Sequence, residues 1–210
     1  MIFSNSQAKP SRLVLSIKRG DLRVRIQSNG CICLLLFCVF LLNLYQPAIA
    51  DDEELSEVHS EIVDEFPDVH HISDAEVEPA SESVLYLDVR RADEYAVSHL
   101  EQAIRVDPGI SASDFEQQFA EKIQGKKVIF YCSVGVRSSE LINRLYSLLD
   151  SMEDTQAVNL EGGIFRWHNK QRPLYRQEQQ TDEVHPFNWY WSRLLDRSEL
   201  ASYGPDERVE

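Results

Sequence analysis

Cys132 is the residue whose position in this sequence most clearly predicts chemistry. It follows the apolar run 128–131, which is rich in β-branched and aromatic residues and predicts a buried strand. Gly135 lies in the short loop after the cysteine, Arg137 adds a fixed positive charge, and an amphipathic helical pattern follows. The N–H groups of such a loop and of the helix N-terminus favour an anion. A thiolate held there has a lowered pKa and is nucleophilic near neutral pH, so the segment predicts a catalytic cysteine loop.

The N-terminal region has the pattern of a secretory signal. Basic residues precede an apolar run at 31–42 that contains the other three cysteines, and the small-x-small sequence Ala48-Ile49-Ala50 follows it. This pattern predicts a signal peptide cleaved after Ala50 and an exported, periplasmic protein. The basic segment is long for a signal, which leaves an uncleaved membrane anchor through residues 31–45, an organelle-targeting segment or a misassigned start as alternatives. The apolar core is shorter than the roughly 20 residues that comfortably span a bilayer.

Cleavage would leave residues 51–210 with Cys132 as their single cysteine. One unpaired thiol cannot build a disulfide scaffold, so it is either buried and inert or present for its reactivity. Six of the 21 basic residues and one of the 35 acidic residues lie in residues 1–50, which gives residues 51–210 a net charge of −19. Nucleic acid and anionic membrane surfaces are poor partners for such a chain, and we interpret the charge as a source of solubility.

The pattern after residue 50 alternates helices and strands. Helices are predicted at 51–65, 92–98, 113–123, from 141 to about 150 and after 163, and strands at 70–72, 84–87, 103–106, 128–131 and 157–160. This alternation indicates an α/β fold, in which a parallel sheet is covered by helices on both faces.

The C-terminal extension, residues 176–210, concentrates aromatic residues at 185–191 (His-Pro-Phe-Asn-Trp-Tyr-Trp) and ends in an acidic tail. We expect the aromatic segment to pack back on the domain as a short helix. Docking of a protein partner is the alternative. The last residues, 202–210, are expected to be disordered.

Three segments resemble the rhodanese-like sulfurtransferases. Residues 87–104 are similar to the family's strand-end Asp-Val-Arg, its following Glu-Tyr and its Gly-His-Ile-x-Gly-Ala-Ile segment. Residues 132–138 (Cys-Ser-Val-Gly-Val-Arg-Ser) match the family's Cys-x-x-Gly-x-Arg-Ser loop, and residues 160–167 resemble its Leu-x-Gly-Gly-x-x-x-Trp. The order and spacing of the motifs agree with the family across residues 70–173. Ser98 and Gln102 depart from the pattern, because the family usually has glycine there.

The resemblance implies a rhodanese-like domain over residues 70–175, after an acidic N-terminal helix within 51–69, and a sulfurtransferase activity. The Cys132 thiolate would attack the outer sulfur of a donor such as thiosulfate, expel sulfite and hold a persulfide. A thiol or cyanide would then accept that sulfur in a ping-pong cycle. The N–H groups of the loop would stabilise the anionic persulfide; they belong to Ser133, Val134, Gly135, Val136, Arg137 and Ser138. No metal or organic cofactor is needed.

Five side chains are expected to support the loop. Asp88 is expected to order the end of its strand and the neighbouring loop. Arg90 and Glu94 are four residues apart and are expected to form a structural ion pair. His99 is interpreted as a hydrogen-bonded structural histidine. Arg137 is expected to brace the loop against a carboxylate, with some electrostatic benefit to the thiolate.

Two other function classes are alternatives to sulfur transfer. Phosphatases and arsenate reductases with a Cys-x5-Arg loop need one residue more than the six from Cys132 to Arg137, because their ring of N–H groups encloses a tetrahedral oxyanion.

The second class is a rhodanese-like binding, sulfur-carrier or redox-sensing module with little turnover. Ser133 stands where many active members carry a basic residue, and with the acidic surface it favours the module. The intact loop favours the enzyme.

Overall fold

A computed structural model describes residues 53–204 and 207–208. In chain order the elements are α1 (Glu53–Glu65), β1 (His71–Ile72), a 3₁₀ turn (Asp74–Glu76), β2 (Val84–Asp88), α2 (Ala92–Val97), β3 (Ile104–Arg105), α3 (Ala112–Ile123), β4 (Lys127–Tyr131), α4 (Val136–Arg144), α5 (Tyr146–Asp150), β5 (Gln156–Leu160), α6 (Gly163–Asn169), β6 (Leu174–Arg176), β7 (Gln179–Thr181), α7 (Trp189–Ser192), a 3₁₀ turn (Ser198–Leu200), β8 (Ser202–Gly204) and β9 (Glu207–Arg208). None of the described helices is both long and apolar enough to cross a bilayer. The predicted signal or targeting segment, residues 1–50, lies outside the described residues, so export stays a prediction.

The main sheet has five parallel strands in the order β1-β5-β4-β2-β3. The central strand β4 lies between β2 and β5, with Asp88 opposite Tyr131 at the carboxyl end of β2. Loops that follow the carboxyl ends of parallel strands meet at one edge of the sheet. The loop after β4 and the loop after β2 are therefore neighbours, and the predicted parallel sheet is confirmed.

Strand β4 is buried on both faces, which explains why its sequence is a continuous apolar run. Val128 and Phe130 belong to one apolar core, together with residues of α3, α4 and α5. Ile129 and Tyr131 point to the opposite core, which contains residues of α1, α6 and the C-terminal extension. Because side chains alternate along a strand, these two cores lie on opposite faces of the sheet. Helices thus cover both faces, as the sequence predicted.

The single helix predicted to run to about residue 150 is interrupted, and this part of the prediction is wrong. Helix α4 ends at Arg144 and α5 begins at Tyr146. At Leu145 the backbone N–H lies 2.9 Å from the Leu141 carbonyl oxygen and 3.1 Å from that of Ile142, which tightens the turn. The sequence has neither glycine nor proline here, so the helical periodicity alone could not reveal the break.

The expected disorder of residues 202–210 is contradicted for residues 202–204 and 207–208. Strand β8 pairs antiparallel with β9, and Ser202 is fully buried. Its backbone N–H donates to the Val184 carbonyl at 3.0 Å. The tail is ordered here because its backbone hydrogen bonds are satisfied by the extension itself.

The aromatic segment forms the expected short helix, α7. Asn188 caps it, since its Oδ1 accepts hydrogen bonds from the backbone N–H groups of Tyr190 and Trp191, each at 3.0 Å. Trp191 and Phe187 pack against the core that contains α6, whereas Trp189 is 78% exposed. The segment therefore packs back on the domain, with the side chains of Trp189 and Tyr190 exposed to solvent.

Candidate active site

The Cys132 thiol lies directly after β4 and is almost completely buried. The backbone N–H of Gly135 donates to its Sγ at 3.2 Å. Gly135 has a φ of 109°, a backbone conformation that side chains with a Cβ rarely adopt. A Cβ at this position would also lie 3.0 Å from Nδ2 of Asn159 and 3.4 Å from Cδ1 of Ile62. The loop can close around the sulfur only because this residue is glycine.

The environment of Cys132 lowers the pKa of its thiol below the ordinary value. Burial alone would raise that pKa, but the positive charge of Arg137 and hydrogen bonds from Ser138 and Gly135 more than offset it. The geometry therefore holds a thiolate at the N-terminus of α4, where the first N–H groups of the helix have no partner within the helix. Such a thiolate is a nucleophile.

Arg137 braces the loop through a bidentate pair with Glu94. Its two terminal nitrogens each lie 2.8 Å from a carboxylate oxygen of Glu94, and Nη2 also donates to the Ser133 hydroxyl at 3.0 Å. Burial alone would raise the pKa of Glu94, but the hydrogen bonds and charge of Arg137, together with Arg90, hold it at about 2. The carboxylate is thus charged at neutral pH. It fixes the guanidinium beside the thiolate.

The predicted ion pair between Arg90 and Glu94 is wrong. Arg90 instead pairs with Asp88, to which its Nε and Nη2 donate at 2.9 and 2.7 Å. The spacing rule for ion pairs applies within a helix, and α2 begins only at Ala92, with Arg91 as its N-cap. Arg90 therefore lies outside the helix, and its side chain turns back to the strand that precedes it.

Asp88 and Arg90 form a buried support behind the cysteine strand. Both are fully buried, and Nη2 of Arg90 also donates to the Ser98 carbonyl at 2.6 Å. The guanidinium carbon of Arg90 lies 5.8 Å from the centre of the Tyr131 ring, and Tyr131 directly precedes Cys132 in the chain. Burial lowers the pKa of Arg90, but Asp88 more than offsets this, so the pKa lies above its usual value. The pair is a charged structural link between β2 and the end of β4.

His99 has structural contacts and is largely buried. Its ring stacks on Tyr95 at 4.2 Å, and its Nδ1 lies 2.9 Å from the Leu100 carbonyl oxygen. Its backbone pairs with Tyr175. Gln102, three residues further along the chain, has a φ of 56°. It thus adopts a left-handed conformation at a position where the family usually has glycine.

Helix α6 holds the cysteine loop from the opposite side. The N–H groups of Ile164 and Phe165 donate to the carbonyls of Cys132 and Ser133 at 2.9 and 3.0 Å. Gly163 has a φ of 55°, and a Cβ there would overlap those same two carbonyls, at 2.7 Å from that of Ser133. The double glycine of the third motif thus allows the start of a helix to lie directly on the loop.

Two residues of this site, Phe187 and Trp191, were not predicted from the sequence. They close a pocket of about 150 Å³ over the thiol, whose other lining residues are Cys132, Ser133, Val134, Val136 and Arg137. The ring of Phe187 lies 4.7 Å from the guanidinium carbon of Arg137 and 5.5 Å from that of Arg91. The aromatic cluster at 185–191 was the available signal, but nothing in its pattern indicated contact with a loop about 50 residues earlier.

Comparison with known proteins assigns the domain to a family. Residues 73–170 match the family model of the rhodanese-like domain. Residues 73–170 are therefore a rhodanese-like domain, as the three motifs predicted.

Solved structures of similar fold include a rhodanese-related protein from Thermoplasma volcanium, at 22% identity over 51% of this chain and 98% of that chain, with a TM-score of 0.41. A rhodanese-like domain protein from Staphylococcus aureus has 22% identity over 47% of this chain and 91% of that one, with a TM-score of 0.35. A thiosulfate sulfurtransferase from Pseudomonas aeruginosa has 18% identity over 67% of this chain and 26% of that one, with a TM-score of 0.42. No curated protein sequence matches the chain.

Proposed function

We propose that this protein is a sulfurtransferase that carries sulfane sulfur as a persulfide on Cys132. The observation that supports this most is the buried thiol with a lowered pKa, to which the Gly135 N–H donates and beside which Arg137 is fixed by Glu94. A charged sulfur in this position can attack a donor. The same N–H groups stabilise the negative charge of the persulfide that forms.

The proposed reaction has two half-reactions. In the first, the Cys132 thiolate attacks the outer sulfur of a sulfane donor. A bond forms between the two sulfurs as the donor's own bond to that sulfur breaks, and the leaving group departs with the electron pair. In the second, a thiol or cyanide attacks the outer sulfur of the persulfide and returns Cys132 to the thiolate. The sulfur is transferred without net oxidation of the protein.

A sulfur carrier with little turnover is the second candidate. Arg137 has both terminal nitrogens on Glu94, which reduces its attraction for an anionic donor. Cys132 is also only 1% exposed, so a donor or acceptor must enter the small pocket to reach it. Both observations favour slow exchange with inorganic thiosulfate.

The test is the intact mass of the purified, reduced protein before and after exposure to thiosulfate or to an organic persulfide. Cyanide is then added while thiocyanate is followed. The Cys132→Ser variant is the control, and because it retains the other three cysteines it shows any sulfur that they take up. We expect a gain of one sulfur atom that cyanide removes and that is absent from Cys132→Ser.

The outcomes separate the two candidates. Sulfur gain with thiocyanate turnover supports the enzyme, and sulfur gain with negligible turnover supports the carrier. If a folded and reduced protein gains no sulfur from either donor, the proposal is wrong.

A further inference from the structure

The pocket above Cys132 is walled mainly by apolar side chains, and two of them come from the C-terminal extension. Phe187 and Trp191 face Val134 and Val136 of the loop across a volume of about 150 Å³. An apolar cavity of about this size holds a benzene-sized molecule. The wall therefore leaves room beside the thiol for a small organic group.

The aromatic wall is held in place by specific contacts. Phe187 has a φ of 63°, which is unusual for a bulky residue and persists only when its surroundings fix it. Its backbone N–H donates to Nδ1 of the buried His185 at 3.0 Å, and its ring lies against Arg91 and Arg137. Trp191 is placed by the Asn188 cap of α7. A binding wall that is already ordered needs little reorganisation when a ligand enters.

The pocket provides little free positive charge. Arg137 is the one cationic residue among the described residues that line it, and Glu94 neutralises that charge through a bidentate pair. The ring of Phe187 also lies near the guanidinium. The whole chain carries a net charge of −14, which opposes the approach of a dianion. Thiosulfate, a compact dianion, would thus lose its hydration in this pocket with little compensation.

We propose that Phe187 and Trp191 are specificity-determining residues that select a sulfur donor with an apolar organic group over inorganic thiosulfate. This inference rests on the proposed function of Cys132. For an organic persulfide, the thiolate attacks the outer sulfur, the S–S bond of the donor breaks, and an organic thiolate leaves with the electron pair. For an organic thiosulfonate the leaving group is the sulfinate. In each case the apolar group lies against the aromatic wall while sulfur is transferred.

The experiment compares two donors of related chemistry. Benzenethiosulfonate replaces one anionic oxygen of thiosulfate by a phenyl ring and leaves the transferable sulfur unchanged. For each donor, kcat/KM is measured with cyanide as acceptor, and Cys132 persulfide formation is followed by intact mass. The protein variants are the wild type, Trp191→Ala, Phe187→Leu and Trp189→Ala, each checked for folding by its thermal transition. Trp189→Ala is the matched control, because Trp189 lies on the same short helix but is 78% exposed.

We expect Trp191→Ala to lower kcat/KM for benzenethiosulfonate by about tenfold relative to thiosulfate, since even one methylene in an apolar pocket changes selectivity by 10-fold or more. Phe187→Leu is expected to lower the ratio of kcat/KM for benzenethiosulfonate to kcat/KM for thiosulfate by a smaller factor than Trp191→Ala does. Trp189→Ala is expected to leave this ratio unchanged. A ratio that stays constant in a folded Trp191→Ala protein, while Cys132 still gains sulfur, overturns this inference alone. If neither donor places sulfur on Cys132, the proposed function fails and this inference fails with it.

Discussion

At the scale of single residues, the reactivity of Cys132 depends on a small number of polar contacts that act against its burial. Removing a thiolate from water costs free energy, and this cost alone would keep the thiol protonated. Arg137, Ser138 and Gly135 reverse that effect. Glu94 limits the contribution of Arg137 because it shares the same guanidinium. The hydrogen bonds to sulfur therefore matter more here than they would beside an unpaired arginine.

Ser138→Ala tests this balance. The Ser138 side chain lowers the pKa of the Cys132 thiol, while its hydroxyl donates to the Gly135 carbonyl at 3.1 Å, so its loss is expected to raise the pKa of Cys132. The measurement is the pH dependence of the iodoacetamide reaction rate, read from the mass of the Cys132 peptide.

Ser139→Ala is the control for this prediction. Ser139 is equally buried and adjacent, but its hydroxyl has no hydrogen-bond partner among the described residues. Its substitution is expected to leave the midpoint of the rate profile in place. Identical midpoints for the two variants would show that the Ser138 hydroxyl does not stabilise the thiolate.

At the scale of elements, the cysteine loop is held between two helix starts. Helix α4 follows the loop, and α6 lies against its carbonyls. The close approach of α6 depends on Gly163, because a Cβ would overlap the carbonyls of Cys132 and Ser133. A helix displaced from this position would also displace the carbonyls that its N–H groups bind.

Gly163→Ala and Gly125→Ala form a matched pair for this contact. Both glycines have a left-handed φ, at 55° and 71°, but a Cβ at Gly125 would meet nothing within 4 Å. Gly125→Ala is therefore expected to lower the free energy of unfolding by only about 1–2 kcal/mol, from backbone strain. Gly163→Ala adds an overlap with backbone and is expected to cost about 1–3 kcal/mol more. Urea denaturation measures both, and equal losses would contradict the close packing of α6 on the loop.

The sequence predicted the elements that depend on local or periodic signals. The parallel sheet follows from apolar runs separated by helical patterns, and the cysteine loop is contiguous in the chain. The ion pair of Arg90 could not be predicted from its spacing, because Arg90 precedes the first residue of α2, Ala92, and the i,i+4 rule holds only within a helix. The aromatic wall could not be predicted either. Contact between Phe187 and Arg137 is a tertiary contact across some 50 residues, and such contacts leave no local pattern.

At the scale of the whole molecule, buried histidines oppose folding in acid. His168 is fully buried, and its Nε2 lies 3.0 Å from the Asp182 carbonyl oxygen. Burial, together with the charge of Arg197, lowers the pKa of His168 to about 4. His71 also has its pKa lowered to about 4, chiefly by burial. The unfolded chain takes up these protons near the ordinary pKa of about 6.5, whereas the folded chain does not.

The sign of this effect follows from the lowered pKa. A group whose pKa is lower in the folded state stabilises folding at pH values above its pKa in the unfolded state. For His168 that stability is lost as the pH falls from about 6.5 to about 4. Between pH 7 and 5, His168 alone is expected to account for a loss of about 2 kcal/mol in the free energy of unfolding. Neutralisation of carboxylates on this acidic chain changes the total as well, so a variant is needed to isolate the histidine.

His168→Gln isolates that contribution because glutamine does not titrate and can still donate to the Asp182 carbonyl. Urea denaturation at pH 7 and pH 5 gives the loss of unfolding free energy for each protein. We expect this loss to be about 2 kcal/mol smaller in His168→Gln than in the wild type. The exposed His70, changed to glutamine, is the control and is expected to reproduce the wild-type difference. If His168→Gln shows the same pH dependence as His70→Gln, the buried imidazole takes up its proton in the folded state, and acid destabilisation must come from other groups.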